Sequence, residues 1–116
     1  MKVEFSGEIT RPHKVLHKII QDMGFQVVNN SEFDNYKIDC FIPELNIGVE
    51  ADGVLYHKFK KKDRERDQYI FNKFNIPILR ISEKLLVGKS NEEVIELIKE
   101  FIDNNANNKY SFTDSG

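Results

Sequence analysis

Two strand-like runs meeting at one tight turn constrain this chain more than any other feature. Tyr36 to Ile42 and Asn46 to Asp52 flank Pro43-Glu44-Leu45-Asn46. Pro presets φ for a turn and Asn tolerates the left-handed region, so the segment reads as an antiparallel hairpin. If Ile42 pairs with Ile47, Asp39 faces Glu50. Side chains alternate along a strand, which puts Ile38, Cys40 and Ile42 on one face and Asp39 and Phe41 on the other. On the second strand Ile47, Val49 and Ala51 oppose Gly48, Glu50 and Asp52. Directly opposed Cβ atoms lie about 4.5–5.5 Å apart, where like charges destabilise the pair unless a counter-charge compensates. The carboxylates of Asp39, Glu50 and Asp52 are thus expected to converge on one face, with Gly48 leaving room for an ion. Hard oxygen ligands of this kind suit Mg²⁺ or Mn²⁺ rather than zinc. An ordinary hairpin with a solvated acidic face fits the same pattern, and the residues that follow have to decide between the two.

Those residues are Gly53-Val-Leu-Tyr-His57, then Lys58-Phe-Lys-Lys-Lys-Asp63-Arg-Glu-Arg-Asp67. His57 stands just past the strand that carries Glu50 and Asp52, and neutral imidazole is the side chain best suited to accept a proton near neutral pH. The charged run opens a helix in which Asp63, Asp67, Ile70, Phe71 and Phe74 recur at helical spacing. An acid on that stripe would orient His57 or an attacking water. Pairing of Asp63 and Asp67 with Arg66, Lys60 or Lys61 along the helix surface is the alternative.

Asp39, followed eleven residues later by Glu50-Ala51-Asp52, resembles the PD-(D/E)XK nuclease superfamily. The run from Ala51 to His57, with Arg66-Asp67 and Ile76-Pro-Ile-Leu-Arg-Ile-Ser82, is similar to the very-short-patch-repair endonucleases and related phage homing endonucleases. The resemblance covers roughly Thr10 to Leu86. It implies a single restriction-endonuclease-like α/β domain and a DNA endonuclease dependent on Mg²⁺, with Mn²⁺ as a substitute. It also implies that Asp39, Glu50 and the carbonyl of Ala51 hold the metal and that His57 serves as base. Asp52, Asp63, Asp67 and Glu8 complete the candidate catalytic set. Two departures stand out. Asp52 occupies the superfamily's lysine position, and His13 follows Pro12 where many relatives carry Glu, leaving Glu8 as a nearby acid at a different spacing.

A net charge of −2 does not exclude a nucleic-acid partner, because local positive density is what attracts phosphate. Lys58, Lys60, Lys61, Lys62, Arg64 and Arg66 fall within nine residues. Beside a carboxylate cluster they form a candidate clamp on the DNA backbone, although such a run also suits a solvated helix end. With no helix-turn-helix or zinc finger in the chain, sequence specificity is expected to come from a separate recognition domain, a partner protein or a homodimer. Homing and mismatch repair with single-strand nicking both remain open. A non-catalytic nucleic-acid-binding module that keeps the fold is the alternative, since Asp52 cannot act as a lysine does.

At 116 residues the chain supports one modest core. Its one cysteine, Cys40, excludes a disulfide framework and points to a reducing, intracellular setting, the cytoplasm. For the homing branch of the resemblance that means a phage-encoded protein in a bacterial cell. Met1 to Glu8 lacks the apolar run of a signal peptide, and no stretch approaches the ~20 apolar residues that span a membrane.

The expected element order is αβββαβα around a mixed central sheet flanked by helices. Thr10 caps a first helix with Pro12 in its opening turn and an apolar stripe of Val15, Leu16, Ile19, Ile20 and Met23 ending at Gly24. Phe25 to Asn29 and Ile78 to Ser82 read as strands, the latter central because Ile78, Leu79 and Ile81 put apolar groups on both faces. Ser90-Asn-Glu-Glu93 is a capping box before Val94, Ile95, Ile98, Phe101 and Ile102. The expected domain spans 1–104, and 105–116 is polar and unpatterned, as a mobile tail or linker would be. His13 and His17 have the i, i+4 spacing of zinc ligands, but no third ligand or metalloprotease Glu accompanies them.

Overall fold

A computed structural model describes residues 9–53, 60–88 and 90–106, apart from the side chain of Lys60. Its elements run α1 (Arg11–Asp22), β1 (Val28–Phe33), β2 (Tyr36–Ile42), β3 (Ile47–Asp52), α2 (Lys60–Phe74), β4 (Ile78–Ser82), α3 (Glu83–Leu86) and α4 (Glu92–Ala106). The four strands form one mixed sheet in the order β1-β2-β3-β4. β1, β2 and β3 are antiparallel neighbours, and β4 lies parallel to β3. Parallel strands need a crossover, which α2 supplies. Among the described residues no helix is long and apolar enough to cross a membrane.

The hairpin forms in the anticipated register, with Ile42 opposite Ile47. Its turn is closed by Leu45 N–H donating to Ile42 O at 3.2 Å, and Asn46 takes the left-handed conformation at φ 53°. The Asn46 side-chain amide donates to the carbonyls of Asn75 at 2.9 Å and Phe74 at 3.4 Å, at the C-terminal end of α2. Carbonyls at a helix C-terminus have no partner inside the helix, so this amide satisfies groups that α2 leaves open.

α1 starts and stops as its sequence dictates. His13 N–H donates to Thr10 Oγ1 at 3.4 Å, Pro12 stands in the first turn, and the chain leaves the helix through Gly24 at φ 97°. Leu16, Ile19 and Ile20 bury against Cys40 and Ile42 of β2, Ile47 and Val49 of β3, Ile81 of β4, Leu86 of α3, and Val94 and Ile98 of α4. A smaller cluster of Ile38, Ile70, Ile76 and Ile78, flanked by Phe33, Tyr36, Phe41 and Phe74, joins α2 to the other side of the sheet.

Several expectations are corrected. The first strand is Val28–Phe33 rather than Phe25 to Asn29. Phe25 and Val27 pack on the larger cluster instead, and the polar residues Asn29, Ser31 and Glu32 are held in the strand by pairing with β2. Cross-strand bonding outweighs hydrophobic pattern there. β4 is an edge strand of the described sheet, not a central one. Its apolar groups face both ways because helices cover both faces, with Ile78 in one cluster and Ile81 in the other. The element order gains α3, a single turn whose cap is Ser82, with Lys84 N–H donating to Ser82 Oγ at 3.2 Å. Four residues carry no readable helical period. α4 continues to Ala106, past the expected boundary at 104, and 107–116 lie outside the described residues.

Ile38 departs from simple alternation. It joins the α2-side cluster with Phe41 rather than the face of Cys40 and Ile42. The irregularity centres on Asp39. The β1–β2 pairing skips Asn30 and Asp39, Asn30 is left-handed at φ 51°, and the β2–β3 pairing ends at Cys40 opposite Val49. One consequence concerns Gly48, where a Cβ would meet Ile38 Cγ2 at 2.8 Å. The space beside Gly48 is taken by Ile38, so the glycine serves close packing and does not open a pocket for an ion.

Candidate functional site

Asp39 and Glu50 stand where the β2–β3 pairing stops, and their side chains replace the missing rungs. Asp39 N–H donates to Glu50 Oε2 at 3.0 Å, and Ala51 N–H donates to Asp39 Oδ2 at 3.0 Å. Each carboxylate is thus pinned to the other's strand by a backbone donor. Charge-assisted bonds of this kind are stronger than neutral ones.

Around the pair lie Asp52, Asp63 and Asp67, with two guanidinium groups threaded between them. Arg80 of β4 forks onto Asp67, Nε to Oδ2 at 2.7 Å and Nη2 to Oδ1 at 2.7 Å. Its Nη1 reaches Asp52 Oδ1 at 2.7 Å, Glu50 Oε1 at 3.5 Å and Asp63 Oδ2 at 3.7 Å. Arg66 of α2 donates through Nη2 to Glu50 Oε2 at 2.9 Å and through Nη1 to Asp67 Oδ1 at 3.0 Å. The same Nη2 also donates to the Lys37 carbonyl. Glu50, Asp52 and Asp67 are buried, and the Arg66 side chain is 15% exposed.

Burial sets the electrostatics. Desolvation, reinforced by the neighbouring Asp39 charge, pushes the Glu50 carboxyl up to about 7, against the pull of Arg66 and Arg80. Asp52 is also raised by burial, and Arg80 works in the opposite direction. For Arg80 burial disfavours the charge, but the bonds from Asp67 and the fields of Asp67, Glu50 and Asp52 more than offset it and hold the guanidinium firmly ionised. Cys40, behind the site in the apolar core, has its thiol raised by burial.

The structure distributes the candidate residues unevenly. Asp39, Glu50 and Ala51 come together as expected. Asp52 shares their face but is bound by Arg80. Asp67 spends both oxygens on Arg66 and Arg80, and Asp63 lies nearest Arg80, so these two acids hold arginines in place. Asp67 pairs with Arg66, but inside the site rather than along the helix surface, and Arg80 is the partner that sequence reading misses. A lone charge inside the apolar run Ile78-Leu-Arg-Ile81, on the face of Glu50 by alternation, was the available signal. Arg66 turns inward and is not displayed to solvent as a clamp, whereas Lys61 and Lys62 are exposed. Glu8, His57 and Lys58 lie outside the described residues.

His13 Nε2 and His17 Nδ1 both meet Asn29 Oδ1, at 3.1 and 2.8 Å. Their i, i+4 spacing serves a buried polar contact between α1 and β1. Among the described residues no group of three or more His, Cys, Asp or Glu side chains is arranged to hold a metal ion. Two carboxylates and a carbonyl fall below that count, yet Mg²⁺ is commonly bound through one or two carboxylates and keeps several waters. The donor set of Asp39, Glu50 and the Ala51 carbonyl fits such an ion. Comparisons with protein-family models, curated proteins and solved structures find no match to the chain.

Proposed function

We propose that the chain is a metal-dependent DNA endonuclease, or the catalytic domain of one, with the fold of the PD-(D/E)XK superfamily. The observation that carries this reading is the side-by-side placement of Asp39 and Glu50 where the ladder of an antiparallel hairpin ends. Asp39, Glu50 and the Ala51 carbonyl would hold Mg²⁺ or Mn²⁺. Bound there, the ion would neutralise charge on a phosphodiester and lower the pKa of a coordinated water. His57 would take the proton from the attacking water. Arg80, clamped by Asp67 and Asp52, fixes the strand on which Glu50 is presented. Lys61 and Lys62, with Lys58, Lys60 and Arg64 of the same run, would engage DNA phosphates.

The second reading, a nucleic-acid-binding module without turnover, is favoured by one observation. Arg66 and Arg80 satisfy the carboxylates without a metal. Nicking of supercoiled plasmid separates the two. Cleavage should appear with Mg²⁺ or Mn²⁺, vanish in EDTA and vanish in Asp39→Asn. His57→Ala should lower turnover by about 10²–10⁴-fold, the usual contribution of a general base. Absence of cleavage by the parent with either ion, alongside salt-sensitive DNA binding lost on replacing Lys60, Lys61 and Lys62 with Ala, would establish the second reading.

A further inference from the structure

We infer that Arg66 is a displaceable counter-ion, which holds Glu50 Oε2, the oxygen bonded to Asp39 N–H, in the metal-free protein and withdraws when that oxygen takes a divalent cation. The inference rests on the nuclease reading and adds a residue to it. Glu50 Oε2 accepts two hydrogen bonds, from Asp39 N–H at 3.0 Å and Arg66 Nη2 at 2.9 Å. A carboxylate oxygen offers about two lone-pair sites, so Oε2 is filled. For it to become a ligand one donor has to leave. The Asp39 N–H is fixed by the strand, while the guanidinium sits at the end of a long side chain. Two cations sharing one buried oxygen would also repel each other strongly in a medium of low polarity.

The remaining contacts show why Arg66 leaves and Arg80 stays. Asp67 loses only Arg66 Nη1, because the Arg80 fork keeps both of its oxygens bonded at 2.7 Å. Glu50 keeps Arg80 at 3.5 Å and the Asp39 N–H. Withdrawal of Arg66 therefore strands no buried carboxylate. Withdrawal of Arg80 would remove the shortest ion pairs of both Asp52 and Asp67. Arg66 also bonds the Lys37 carbonyl, so its release loosens a link between α2 and β2 at the moment the site is loaded.

The test uses Mn²⁺ titrated into the full chain and followed by electron paramagnetic resonance, with Arg66→Met, Glu50→Gln and the parent. Arg66→Met should bind Mn²⁺ about tenfold more tightly than the parent, and Glu50→Gln more weakly. Because Arg66→Met could fail to fold, the parent is also titrated with Mg²⁺ while the guanidinium Nε–H resonances are observed. The Arg66 signal should move toward that of free arginine while the Arg80 signal stays. If the parent binds Mn²⁺ through Glu50 but Arg66→Met binds no more tightly, or the Arg66 signal is unmoved by saturating Mg²⁺, Arg66 is a fixed structural link and the inference falls while the metal site stands. If the parent and Arg66→Met both fail to bind Mn²⁺, the metal reading falls and takes this inference with it.

Discussion

On the face covered by α1, α3 and α4, Ile47, Val49 and Ile81 lie among eleven buried apolar residues, whereas on the α2 face the alternate positions of the same strands carry Glu50, Asp52 and Arg80. Among the described residues, the buried apolar cluster there consists of Ile38, Ile70, Ile76 and Ile78. One face is held by area removed from water, which is indifferent to pH and needs no partner. The other holds ionised groups away from water, which is stable only while each charge has its counterpart. A strand that alternates between these environments carries its stability and its candidate chemistry at neighbouring positions.

The sharpest way to break that comparison is to remove the central cation. Arg80→Met leaves Asp52 and Asp67 buried and undercompensated and should cost about 3–5 kcal/mol, read from the urea midpoint. Lowering the pH until the carboxylates protonate should recover part of the loss. On the apolar face Ile98→Ala should cost about 2–5 kcal/mol with no such recovery. A pH-independent loss in Arg80→Met would mean that the arginine acts by packing alone.

A smaller effect is expected where the α2-side cluster meets the site. Gly48→Ala forces a Cβ toward Ile38 Cγ2, 2.8 Å away, and should destabilise by about 1–3 kcal/mol. In an Ile38→Ala background the same change should cost much less. Equal costs in both backgrounds would show that backbone conformation at position 48, rather than the contact, sets the penalty.

The acidic pair makes stability depend on pH in a defined direction. Glu50 titrates at about 7 when folded against an ordinary 4.5, so the native state keeps its proton to higher pH than the unfolded chain does. The stability contributed by the neutral carboxyl is full below about 4.5 and is lost as pH rises through about 7. Without added metal, calorimetry should show a loss on the order of 3 kcal/mol over that window, and Glu50→Gln should flatten it. A Tm that rises across the same window in the parent and not in Glu50→Gln would reverse the assignment. The smallest effect belongs to the apolar side, where Thr10→Ala removes the α1 cap and should cost about 1 kcal/mol at every pH. Loss of that cap should leave any Mg²⁺-dependent rise in Tm unchanged.

Legibility followed the range of the interactions. The turn from Pro43 to Asn46, the register of Ile42 on Ile47 and the cap at Thr10 are set by neighbours in sequence and are readable, whereas α4 starts one residue later than a capping box at Ser90 requires, with Ser90 Oγ accepting from Glu92 N–H. Hydrophobic pattern misplaces β1 because the strand depends on pairing with β2 and not on its own side chains. Alternation predicts the wrong face for Ile38 because it fails at Asp39, where side chains replace backbone rungs. At the site, Asp39 and Glu50 followed from register alone. The roles of Arg66 and Arg80 did not, because they depend on how α2 and β4 settle over β3, and spacing along the chain carries no sign of that.

Asn46 connects this to how the molecule assembles. Its side chain reaches from the hairpin turn to carbonyls 28 and 29 residues further on, at the point where α2 hands over to β4. Pairing two parallel strands means closing a long loop before any rung forms, and the entropy of that closure is the slow part of such topologies. A hairpin is local and closes within microseconds. Asn46 fastens the far end of the crossover to that turn, so Asn75 is held beside the hairpin where Ile78 and Leu79 take up their register on β3. Sequence locality favours a hairpin that forms first and a parallel strand that joins it, and this contact marks where the two meet.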